Sequence, residues 1–137
     1  LLSKHFWRIQ PKFIDSKSDF EKDIKGTTAG VIIGDRAYDY RNTFSYIYDL
    51  SEEWKTFTGL PFVFACWVSN KPMASSFEKL FSEALKFGIS NMELALSEKS
   101  DSFDTQIDKM NYLTEVISYD LTEEKRKSMK MFLDFIS

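Results

Sequence analysis

One cysteine and one histidine occur among the 137 residues, and both scarcities narrow the chemistry available. A lone Cys66 closes no internal disulfide. A lone His5 excludes a multi-histidine metal site and leaves a histidine-based triad a single, poorly placed base. Long apolar runs are also missing. The longest, Leu60 to Val68, is about half the length of a membrane-spanning helix. Charge of one sign is not in excess either: 18 basic and 21 acidic side chains are interspersed and sum to −3, which argues against sustained binding of nucleic-acid phosphates. There is no glycine-rich phosphate loop, nucleophile elbow or paired-cysteine spacing. The opening LLSKHFWRIQ lacks the basic head, long apolar body and cleavage site of a secretory signal. It begins on Leu1-Leu2, as if inside a helix, and so reads as a fragment or a processed chain.

What is present is apolar and aromatic. Hydrophobic residues make up 43% and aromatics 16%, with 13 Phe, enough for a folded chain with one modest core. Cys66, inside the longest apolar run, reads as a small buried hydrophobe, and His5 as an amphipathic surface residue.

The patterning predicts an α/β half followed by a helical half. Leu1 to Phe6 reads as the last turn of a helix. Strands are predicted at Ile9 to Ile14 and Phe44 to Asp49, from alternation, and at Ala29 to Ile33 and Phe62 to Val68, from continuous β-branched and aromatic runs. Ser18 to Lys25 is predicted as a helix closed by Gly26, and Ser51 as the N-cap of a helix that Gly59 and Pro61 stop. Beyond Lys71 the period becomes helical. Phe77, Leu80, Phe81, Ala84 and Leu85 form one stripe that Gly88 breaks; Ile89, Met92 and Leu96 form a shorter one. Phe103, Ile107, Met110, Leu113 and Ile117 form a third, and Thr122 caps a last helix bearing Met129, Phe132, Leu133 and Ile136.

Candidate chemistry gathers where the Ala29–Ile33 run ends. Gly34 permits close backbone approach to a ligand, and Asp35 has the chemistry to accept a substrate hydroxyl, to serve as general acid or base, or simply to hold Arg36. Arg36 and Arg41 suit a carboxylate ligand through the guanidinium fork, or stay solvated. Tyr38, Tyr40, Tyr46 and Tyr48 suit a ring pocket or a sheet face. Residue chemistry by itself reaches an α/β domain with a site for a small anion.

Four segments go further: AGVIIGDRA (29–37), YDLSEEW (48–54), TGLPFVFACW (58–67) and YLTEVISYDLTEEKRKSMKMFLDF (112–135). Together they resemble the MqnA family, the chorismate dehydratases of the futalosine route to menaquinone. Ser51 stands where that family often has Gly, and Cys66 where it has Val. The sister family MqnD tends to carry a His-Glu pair where this chain has Gly34-Asp35.

The resemblance implies a two-lobed clamshell like the type II periplasmic binding proteins, of which this chain is the C-terminal portion with a few mixed-sheet strands and several helices. Residues 1–58 would be the trailing part of the second lobe, 59–70 a crossover strand and hinge, and 71–137 helices packing on the first lobe. A carboxylate-binding segment would precede Leu1, so that the chain alone is an incomplete catalyst. The implied reaction is a cytoplasmic hydro-lyase step on chorismate, without metal or organic cofactor, membrane or nucleic acid. Gly34, Asp35 and Arg36 would bind substrate and Asp35 would be catalytic; a homodimer is left open. The alternatives are a non-catalytic solute-binding protein for a small anionic ligand and an MqnD-like lyase.

Overall fold

Trp54 sits 1% exposed at the centre of an aromatic cluster, and that cluster organises the first of two units, Leu1–Val63 with Leu121–Ser137. The second unit is Phe64–Asp120. The computed structural model describes residues 1–34, 36–98 and 108–137.

In the first unit, helix α1 (Leu2–His5), a 3₁₀ turn (Phe20–Asp23), the single-turn α2 (Arg36–Asp39) and α3 (Leu50–Thr58) occur in that order. α3 carries Trp54. The Trp54 indole packs edge-on against Phe57, Phe62, Phe132 and Phe135, with ring centres 5.7–6.3 Å apart. Phe132 and Phe135 belong to the last helix of the chain (Glu123–Ile136). Burial of a whole indole requires its N–H to find an acceptor. Ser128 of that last helix supplies one, accepting from Trp54 Nε1 at 2.8 Å. The N-terminal residues join the cluster as well: Phe6 lies 5.4 Å from Phe57 and His5 4.9 Å from Phe135. Trp7 Nε1 donates to the Glu53 carboxylate at 2.6 Å.

In the second unit α4 (Ser75–Ser90) is followed by α5 (Met92–Glu98), α6 (Lys109–Asn111) and a π-helical turn (Tyr112–Val116). Trp67 packs edge-on against Phe81, and Phe77 stacks on the same ring at 5.9 Å. With α7 taken as Glu123–Ile136, these complete the helices among the described residues.

The α/β expectation is overturned: the described residues contain helices and turns and no strand. Ile9–Ile14, Ala29–Ile33, Phe44–Asp49 and Phe62–Val68 are irregular, and the mixed sheet and two-lobed clamshell fall with them. The physical reason is that β-branched and alternating patterns record a local preference, whereas a strand exists only when a neighbouring backbone takes up its N–H and C=O groups. Val31, Ile33, Tyr46 and Tyr48 are instead exposed. No sheet face exists here for the tyrosines: Tyr40 stacks on Phe44 at 5.9 Å, and Tyr48 lies 6.0 Å from Trp7.

Helix limits fare better, with three corrections. Gly59 closes α3 in the left-handed conformation (φ 76°), and Thr122 caps α7 by accepting from the Lys125 N–H. Asp49, not Ser51, caps α3, because its carboxylate reaches both the Ser51 and Glu52 N–H groups. α4 runs through Gly88 to Ser90. The predicted helix at Ser18–Lys25 shrinks to the Phe20–Asp23 turn. Of the third stripe, Phe103 and Ile107 lie outside the described residues. Cys66, expected to be buried, is exposed.

Candidate functional site

Gly30, Gly34 and Glu21 together decide where Arg36 goes. A Cβ at Gly30 would stand 2.6 Å from Ile24 Cδ1 and 2.8 Å from the Phe20 ring, so a side chain there would have to push both aside, and glycine lets this backbone press closely on them. Four residues on, Gly34 takes a left-handed conformation (φ 72°) that an L side chain resists. The Ala37 N–H then donates to the Gly34 carbonyl at 3.0 Å, closing the turn that starts α2. Arg36 emerges from this turn and pairs with Glu21, fifteen residues earlier. The pair is lopsided: the Glu21 side chain is 7% exposed and that of Arg36 64%.

Arg41, just beyond α2, lays its guanidinium 4.0 Å from the centre of the Tyr38 ring, a cation–π contact. Its positive charge also helps hold the Asp49 carboxyl below the usual aspartate range. The larger cause of that shift is the hydrogen bond that the Ser51 hydroxyl donates to the carboxylate at 2.6 Å. The polar stretch after Gly34 thus carries two guanidinium groups, one held by a buried acid and one by a ring. That arrangement suits recognition of an anionic group, since an arginine fork matches a carboxylate or phosphate in plane.

Of the residues singled out in the sequence, Gly34 is exposed at the turn and Arg36 is beside it. Asp35 lies outside the described residues. Glu21 was missed: it reads as one of several charges on a short polar helix, and nothing in its neighbours marks it as the acid that turns inward. Among the described residues no three His, Cys, Asp or Glu side chains gather to hold a metal ion, and no helix is long and apolar enough to cross a membrane.

No solved structure matches this chain. A family model described as menaquinone biosynthesis matches residues 1–137, and the chain belongs to that family.

Proposed function

We propose that this protein removes water from chorismate to give 3-[(1-carboxyvinyl)oxy]benzoate, a step in menaquinone biosynthesis. The observation that carries the reading is the menaquinone biosynthesis match over residues 1–137, and the resemblance of 29–37, 48–54 and 58–67 to the chorismate dehydratases narrows it to this reaction. The exposed Arg36 fork beside Gly34 adds a binding group of the right chemistry, because chorismate carries two carboxylates.

The reaction breaks one ring C–H and one C–O bond, and the hydroxyl leaves with a proton as water. It is redox-neutral, and aromatisation of the ring drives it. A protein therefore contributes orientation and the management of two proton transfers. In this reading Gly34 and Arg36 bind, and Asp35 contacts the departing hydroxyl, binding it first and assisting its protonation second.

Incubation with chorismate followed by mass detection is the test, with formation of the enolpyruvyl benzoate expected. Replacing Asp35→Asn in the full-length protein should lower turnover about tenfold or more, the cost of losing one positioned acid or acceptor in the transition state. Chorismate bound and returned unchanged would reject the dehydratase and leave a solute-binding protein. Turnover and affinity within about twofold of the unsubstituted protein in Asp35→Asn would remove Asp35 from the site.

A further inference from the structure

Among the described residues Glu21 is the one buried ionisable side chain, and the group it holds is an exposed one. Stability alone accounts poorly for such a pair. Burying the carboxylate costs desolvation, while the partner charge stands largely in water and is screened, so the exchange returns little. What the pair does supply is orientation. A guanidinium has five N–H donors in a rigid plane, and Glu21 engages one terminal nitrogen, Nη2. The backbone leading to Arg36 is seated, through Gly30, on the same turn that presents Glu21.

Resting on the proposed function above, we infer that Glu21 is a positioning residue: it anchors one edge of the Arg36 guanidinium and holds the remaining edge outward for a substrate carboxylate. A carboxylate arriving there would meet a fork already aligned, so less freedom is lost when the two parallel hydrogen bonds form.

The test measures calorimetric binding of chorismate and of benzoate to the full-length protein and to its Glu21→Gln, Glu21→Asp, Arg36→Lys and double Glu21→Gln/Arg36→Lys variants, with chorismate turnover in parallel. Glu21→Gln and Arg36→Lys should each weaken both carboxylates about tenfold and raise KM, with kcat within about twofold. Adding Glu21→Gln to Arg36→Lys should cost no further affinity, since both changes remove the same aligned fork. Glu21→Asp, which keeps the charge and shortens the reach, should fall between. Equal losses from Glu21→Gln with and without the intact Arg36, or no loss at all, would overturn the inference and leave Glu21 a packing residue. If Glu21→Gln fails to fold, Glu21→Asp carries the test, and unchanged affinity in it overturns the inference. Carboxylate binding that depends on Glu21 in a protein that leaves chorismate intact upholds the positioning role and rejects the dehydratase. Failure of the unsubstituted full-length protein to bind either carboxylate rejects both.

Discussion

Ser128 is a small polar residue buried to 1% exposure, and its hydroxyl oxygen accepts the Trp54 indole N–H. Replacing Ser128→Ala removes that acceptor without opening space for water, so a donor is left unsatisfied inside the aromatic cluster. The expected loss is about 1–3 kcal/mol of unfolding free energy, measured by denaturant titration followed through Trp fluorescence. Ser128→Thr, which keeps the hydroxyl, should cost less unless its methyl overpacks the site. Neither member of this bond was legible in the sequence, where Trp54 appears within YDLSEEW and Ser128 within a charged run, seventy-four residues apart. Pairing at that separation is a product of the fold, and local pattern holds no record of it. The Glu21–Arg36 pair, fifteen residues apart, is hidden for the same reason, whereas the left-handed Gly34 is a local feature that a glycine after an apolar run announces.

At the level of elements, two helix ends were readable, others were not, and the strands were absent among the described residues. Caps act within four residues, so the Gly59 stop and the Thr122 start follow from sequence, and the shift of one cap from Ser51 to Asp49 is a local competition between two good capping residues. Asp49 won because its carboxylate reaches the Ser51 hydroxyl as well as two N–H groups. Strand formation depends on distant partners, and the four segments with strand-like patterns do not pair among the described residues. The cap gives a prediction with a definite sign in pH. The folded-state pKa of Asp49 lies below its ordinary value, so its contribution is fully present above the ordinary aspartate pKa and is lost as pH falls through the lower folded value. Asp49→Ala should therefore lower stability by about 1 kcal/mol near neutral pH. The difference from the unsubstituted chain should vanish toward the acid end, as measured by thermal melts across that range. A difference that stays constant with pH would detach the cap from the carboxylate's charge.

The whole molecule leaves a large apolar surface open. Trp54 is the only fully buried hydrophobic side chain among the described residues, although hydrophobic residues make up 43% of the chain. In the second unit Phe64, Trp67, Phe77, Leu80 and Phe87 are each more than half exposed, and Phe77, Leu80 and Phe87 fall on one stripe of α4. At roughly 150–250 Å² for each large aromatic side chain, these side chains show on the order of 500 Å² of apolar surface, as much as the largest single patch of a typical monomer, the size that often marks an interface. A net charge of −3 with interspersed signs offers weak repulsion between copies. The 137-residue chain should accordingly self-associate at micromolar concentration, bind hydrophobic dyes and unfold over a broad transition. Sedimentation velocity across a dilution series reads the association directly. Placing charge on the stripe, with Leu80→Lys and Phe87→Glu together, should shift the distribution toward monomer while the Trp54 fluorescence of the first unit stays unchanged. Concentration-independent monomer, absence of dye binding and a sharp cooperative melt in the unsubstituted chain would show that these side chains find cover within a single copy.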